Sequence, residues 1–186
     1  MARLAMLSTT PDDPALRAMY DEVRARGIEL PNLYRVLGHA PALFRGWLDF
    51  AWPLRLNAKT PRGLRELLIL RGAQVSEADY EWAHHVVMAL SAGVTQAQID
   101  ALAHWRASDL FSAQEKAVIR LADEVTRGPA ASNECIEALK QQGFDESAIV
   151  ELTLTASFYV CVARFLKSMD IGLEPGFTAP ASDGKK

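Results

Sequence analysis

The run Pro61-Arg-Gly-Leu-Arg-Glu-Leu-Leu-Ile-Leu-Arg71, followed by Asp79-Tyr-Glu-Trp-Ala-His-His85, decides the fold class of this chain. Leu64, Leu67, Leu68 and Leu70 recur at helical spacing, with Glu66 and Arg71 embedded among them. Thr60-Pro61 reads as a cap followed by a proline at the first helical position. A second helix is expected from Ala78 to Leu90, closed by Gly93.

The same periodicity extends outward in both directions. Asp12 or Asp13 can cap a helix that opens at Pro14, carries Leu16, Met19, Tyr20 and Val23 on one face, and stops at Gly27. Pro31 opens a short helix bearing Leu33, Tyr34 and Leu37. Pro41 opens a third with Leu43, Phe44, Trp47, Leu48 and Phe50, which Pro53 is expected to kink or end at about Ala51. Downstream, Thr95 caps a short helix with Ile99 and Leu102, and Ser112 with Glu115 forms a capping box. Ser132 begins a helix that ends at Gly143, and Asp145 caps a long apolar helix over about 147–169. No segment alternates strictly with β-branched enrichment, so the class is all-α.

A degenerate helix-pair repeat is visible at an offset of roughly 50 residues. Glu66-Leu-Leu-Ile-Leu-Arg71 lines up with Glu115-Lys-Ala-Val-Ile-Arg120, and Gly93-Val-Thr-Gln-Ala-Gln-Ile99 with Gly143-Phe-Asp-Glu-Ser-Ala-Ile149. Shared capping chemistry between two unrelated helix pairs is the alternative reading.

Composition narrows the function classes. The 186 residues are 49% hydrophobic and 23% charged, an ordinary globular usage rather than that of a disordered chain. Twenty Lys and Arg against 23 Asp and Glu, with no long block of either sign, argue against a broad basic face for nucleic acid. Cys135 and Cys161 are too few and too distant for a disulfide framework or a CxxC. No apolar run approaches the ~20 residues of a membrane span, and the N-terminal stretch is too short and interrupted for a signal peptide. A soluble cytoplasmic protein without a membrane partner is expected.

The chemistry concentrates between Glu66 and His85. Glu81 and His85 stand four apart, so they share a helix face, and Tyr80 with His84 forms a second such pair. Trp82 falls on a different face and brings a large apolar wall. A carboxylate in the apolar helix around Glu66 is either at a solvent edge or buried with a partner such as Arg71, Tyr80 or His85. A Glu–His pair in a partly apolar pocket is suited to moving a proton near neutral pH. A solvated surface pair is the plainer alternative. Glu81-Trp-Ala-His84 has the Glu-x-x-His spacing of di-iron bundles, but it occurs once where two such motifs and two further Glu are needed. A metal site on Glu66, Glu81, His84 and His85 therefore stays an alternative, and neither metal nor cofactor is assigned. Cys161 reads as a small core residue, and Cys135, near a helix start, as a thiol whose pKa could be lowered.

At these residues the chain resembles the carboxymuconolactone decarboxylase family, which includes the AhpD-type alkylhydroperoxidases. The likeness rests on the two quoted runs and on Ala92-Gly-Val-Thr, and extends more loosely to Pro31-Asn-Leu-Tyr34 and Phe158-Tyr-Val-Cys-Val-Ala-Arg-Phe165. It implies an all-helical, usually homo-oligomeric protein, as a dimer, trimer or hexamer. The implied layout is a single helical domain over 1–174, with a family core at about 57–145, N-terminal helices over 12–55, a C-terminal helix over about 147–169, and a disordered tail over 175–186.

The AhpD branch uses a Glu, a CxxC and a His around a redox disulfide. Here Glu66 falls on the relay Glu and His85 on the relay His, but the cysteine positions fall on Ala78 and Glu81. Thiol peroxidase chemistry is therefore not expected, since the thiolate is the nucleophile. The Glu-Trp-x-x-His pattern of Glu81, Trp82 and His85 resembles the decarboxylase branch, which removes CO2 from a carboxylated butenolide. The resemblance implies Glu81 and His85 as the proton-transfer pair and Glu66 as the residue orienting His85. Arg71 or His84 would anchor a substrate carboxylate, and Tyr80 and Trp82 would line the pocket. The implied partner is a small cyclic acid or lactone. The alternatives are an antioxidant role through Cys135 or Cys161, and a metal-dependent or non-catalytic member of the fold.

Overall fold

Leu16, Met19, Tyr20 and Val23 form the buried stripe of α1 (Pro14–Ala25), whose first amides are capped by Asp13 Oδ1, at 2.8 Å from Ala15 N and 3.3 Å from Leu16 N. The computed structural model describes residues 2–178. They contain, in order, α2 (Asn32–Leu37), α3 (Pro41–Leu56), α4 (Arg62–Ser76), α5 (Asp79–Ser91), α6 (Gln96–Ala101), a 3-10 turn (Leu102–His104), α7 (Ala113–Arg127), α8 (Asn133–Gln141) and α9 (Glu146–Met169). No strand occurs among the described residues, so the class is all-α as read from the periodicity. The chain divides into two compact units. One gathers the residues up to Asn57 with Leu166–Phe177, and the other spans Ala58–Phe165.

In the first unit Tyr34 and Phe44 pack with ring centroids 5.2 Å apart, and Tyr20 meets Phe44 edge-on at 6.0 Å. The Tyr20 hydroxyl donates to the Tyr34 carbonyl at 3.4 Å, and Gly38 lies against that hydroxyl, where a Cβ would come within 2.6 Å of it. Pro53 does not end α3, which continues to Leu56. The carbonyl that Pro53 deprives of its amide belongs to Asp49, an exposed residue, so water can take the place of the lost bond. The expected disordered tail lies partly outside the described residues, over 179–186. Its beginning carries a turn in which Phe177 N donates to Glu174 O at 3.2 Å.

The second unit is built on α4, which packs against α5 and α7, while α7 packs against α8. Leu67, Leu70, Ala89, Val94, Ile99, Leu102, Trp105, Phe111 and Ile119 form its largest apolar cluster. The expected capping boxes are present at Thr95–Gln98 and Ser112–Glu115, and Ser132 caps α8. Thr60 does not cap α4 through its side chain; the helix follows Pro61. The Glu151 carboxylate of α9 instead accepts from the amides of Lys59 and Thr60, each at 2.9 Å.

α5 and α8 end alike. Gly93 and Gly143 adopt left-handed φ values of 89° and 83°, and the next amides, Val94 and Phe144, reach back to Ala89 O and Leu139 O. α9 is, by length and composition alone, apolar enough to cross a membrane, although no uninterrupted apolar run of that length was read in the sequence. Within the second unit it buries Leu152, Ala156, Tyr159, Val162 and Ala163, the stripe of a core helix.

Candidate active site

Every residue from Leu64 to Arg71 in α4 is buried, so the Glu66 carboxylate has no route to water and must find partners within the protein. It has two. Arg62, one turn earlier in the helix, forms an ion pair with it, and His85 Nδ1 on α5 lies 2.7 Å from Glu66 Oε2. Burial raises the pKa of Glu66, but the charge and hydrogen bonds of His85 and Arg62 outweigh this and hold it below the ordinary carboxylate range. An ionised Glu66 accepts, so His85 donates from Nδ1. The Tyr159 ring stands edge-on to His85 at 4.9 Å and 90°.

Glu81 sits on α5 one turn before His85, yet the two do not form the expected pair. Neither oxygen of Glu81 has a hydrogen-bond partner, and the residue is only 2% exposed. Burial alone drives its pKa well above the ordinary value, which favours the neutral acid over the carboxylate. The competition explains the geometry: Arg62 keeps Glu66 charged, and a charged acceptor binds an imidazole N–H more strongly than a neutral acid does. α5 thus presents one histidine coupled to an ionised carboxylate and one buried carboxyl without a hydrogen-bond partner.

The other expected site residues divide. Tyr80 and His84 stack with ring centroids 4.6 Å apart, as their spacing suggests. Trp82 is half-buried, packed against Ala73, Ala78 and Ala163 and against the main apolar cluster. Arg71 is not an open anchor for substrate. It is buried, with Nε 2.6 Å from Asp123 Oδ1 and Nη1 bonded to Gln74 and to Leu102 O. Five residues beyond Glu66, it points about 140° round α4 from that carboxylate.

Three participants were not singled out from the sequence. Arg62 could have been found, since it stands four residues before Glu66. Arg65 is buried beside the same carboxylate, its Nε 3.2 Å from Thr60 O; burial and the charge of Arg62 lower its pKa. Tyr159 comes from α9 and has no local signal.

The cysteines exchange the environments expected of them. Cys161 is exposed, whereas Cys135 is buried, and burial together with nearby Glu124 pushes its thiol up to about 11. The helix start that could have lowered that pKa is overridden by desolvation. Among the described residues no three His, Cys, Asp or Glu side chains gather as a metal-binding group.

Comparison with known proteins agrees with this architecture. Residues 41–124 match the Carboxymuconolactone decarboxylase family. The protein YnjA of Escherichia coli (strain K12) is 25% identical over 130 residues, covering 70% of this chain and 69% of that one. A peroxidase-related protein with an alkylhydroperoxidase AhpD core, from Ralstonia eutropha JMP134, superposes with a TM-score of 0.80 at 19% identity, covering 94% of this chain and 93% of that one. The debrominase Bmp8, solved in complex with 2,3,4-tribromopyrrole, gives a TM-score of 0.73 at 20% identity over 94% and 91% of the two chains. These structural likenesses are likenesses of fold.

Proposed function

We propose that this chain, whose residues 41–124 match the carboxymuconolactone decarboxylase family, is a cofactor-free lyase or proton-transfer enzyme acting on a small cyclic carboxylic acid or lactone. The observation that carries the proposal is the division of labour on α5. His85 is held at 2.7 Å by an ionised Glu66, while Glu81, one turn away, is buried without a partner. The Glu66 carboxyl is pushed below the ordinary range and the Glu81 carboxyl above it, a divergence that suits separate base-side and acid-side roles.

In the proposed reaction the C–C bond to the substrate carboxylate breaks and CO2 leaves. The electron pair runs into the ring carbonyl, giving a dienolate. His85, protonated at Nε2, donates to the developing oxyanion, with Glu66 carrying the compensating charge. Glu81 delivers its proton to the dienolate carbon and regains one from solvent after product leaves. His84 takes the anchoring role for a substrate carboxylate, since Arg71 is engaged with Asp123, and Tyr80 and Trp82 line the pocket. The working form is a homo-oligomer, which light scattering at micromolar concentration checks.

The test compares wild type with folded Glu81→Gln, His85→Ala and Glu66→Gln proteins on a carboxymuconolactone, following CO2 release. Losses of ~100-fold or more in the Glu81 and His85 variants are expected. Equal rates in all four proteins would overturn the assignment. The peroxidase-related structural neighbour raises a thiol-based reading. That reading predicts hydroperoxide reduction abolished by Cys161→Ser or Cys135→Ser, whereas the lyase reading predicts both variants unchanged in CO2 release.

A further inference from the structure

Asp123 on α7 is almost closed off from solvent, and four donor side chains converge on it. Arg71 Nε lies 2.6 Å from Oδ1 and Trp105 Nε1 lies 3.1 Å from Oδ2. Arg106 Nη2 is 3.0 Å from Oδ2, and Arg127 Nε approaches Oδ1 only to 3.8 Å, beyond hydrogen-bond reach. One carboxylate therefore faces three guanidinium groups. The neighbouring Glu124 does not redress the balance, because it is engaged by Arg120 Nε and the Ser132 amide, each at 2.7 Å. The C-terminal end of α7 adds only a partial negative charge, and Gly128 N already occupies the Glu124 carbonyl there at 2.9 Å.

The three arginines are not equivalent. Arg71 is held inside the protein, its Nε on Asp123 and its Nη1 on Gln74 and Leu102 O. The side chains of Arg106 and Arg127 are 66% and 61% exposed, and each approaches Asp123 through a single nitrogen. Arg106 is also fixed in orientation: its guanidinium lies 4.3 Å from the centroid of the Trp105 ring, whose own N–H is tied to the same carboxylate. Lys116 adds a further cation nearby, its Nζ 3.4 Å from Arg106 O. The buried acid thus holds two solvent-facing guanidinium groups, each within 4 Å of one carboxylate, and leaves a local surplus of about two positive charges.

We propose that Arg106 and Arg127 form an anion site for a phosphate group, with Asp123 as its buried anchor and the buried Trp105 ring beneath the Arg106 guanidinium. A dianion balances the surplus. The planar forks of two arginines suit tetrahedral oxygens better than a single lysine ammonium does. The group comes from inorganic phosphate or from a phosphate monoester, and the site is independent of the Glu66–His85 chemistry.

Calorimetric titration of the full chain with inorganic phosphate, with ribose 5-phosphate and with ribose tests this, at low and at physiological ionic strength. Binding of one phosphate at ~1 mM or tighter is expected, weakening with salt, and none for ribose. Arg127→Gln and Arg106→Gln should each weaken it by ~10-fold or more. Arg127→Gln should do so without a change in melting temperature, because that side chain makes no hydrogen bond here. Tighter binding of the ester identifies a phosphorylated metabolite as the ligand, and equal binding identifies free phosphate. No binding of either, or binding that survives both substitutions, would overturn the proposal.

Discussion

His85 Nδ1 and Glu66 Oε2 meet at 2.7 Å across two helices, and Arg62 clamps the same carboxylate from within α4. The hydrogen bond makes Nδ1 a protonated donor to Glu66. Glu66→Gln should therefore change the protonation of the His85 ring, read directly from its nitrogen shifts by NMR. It should also alter the acid limb of stability. A carboxylate whose folded pKa is depressed contributes stability above its unfolded pKa and loses it as pH falls through the folded value. Removing Glu66 flattens that acid limb, and an unchanged melting profile between neutral and strongly acidic pH would contradict the pairing.

Glu81 predicts the opposite slope. Its folded pKa lies well above the ordinary value, so the folded state holds a proton that the unfolded chain has released. The full stability is present below the unfolded pKa and falls as pH rises from there toward the folded pKa. Glu81→Gln should melt at a higher temperature than wild type at slightly alkaline pH and close to wild type near pH 4, in thermal unfolding followed by circular dichroism. A constant difference across that range would refute the buried-acid assignment.

Arg71 and Asp123 form a buried pair, and neutralising Asp123 leaves the Arg71 guanidinium buried without a counter-charge. Asp123→Asn should cost about 3–5 kcal/mol in denaturant unfolding, and Arg71→Ala less, since Arg106 still faces Asp123. The Michaelis constant of whatever Arg71→Ala protein remains folded should stay near wild type. A rise in that constant with normal stability would restore Arg71 as a substrate anchor.

The two thiols should separate kinetically. Cys161 is exposed and should react with an aromatic disulfide reagent in the native protein. Cys135, buried and with its thiol pushed up to about 11, should react only after denaturation. Two equivalents of rapid reaction would contradict this arrangement.

Gly38 packs where a methyl group would come within 2.6 Å of the Tyr20 hydroxyl and 3.0 Å of Leu7 Cδ1. Gly38→Ala should destabilise the chain by about 1–3 kcal/mol, through overpacking and loss of the Tyr20–Tyr34 hydrogen bond. Adding Tyr20→Phe to it should recover part of that loss, which a double-mutant comparison measures.

Local chemistry was the legible part of the sequence. Asp13, Thr95, Ser112 and Ser132 cap the helices that follow them, because a cap needs only its own side chain and the next three amides. Pro53 does not end its helix, and the carbonyl it orphans belongs to the exposed Asp49, where water can take the place of the lost bond. Thr60 misled because a carboxylate 91 residues away serves its amide. At the site, spacing placed Glu81, His85, Tyr80 and His84 on one helix, and the resemblance brought Glu66 to His85. Spacing could not say which of two carboxylates would take the imidazole N–H, since Arg62 and burial decide that together. Exposure of Cys161 was equally hidden, because an apolar run does not reveal which side of a helix is covered.

The unpartnered carboxyl of Glu81 has a consequence for how such a chain would respond to selection or engineering. A screen for heat resistance alone should discard this residue early, replacing it with an apolar side chain of similar size, and on the proposed mechanism the winners should be sturdy and catalytically silent. A population selected for turnover would keep Glu81 and accumulate its compensating changes elsewhere in the core. The two regimes would leave opposite substitution records at this one position.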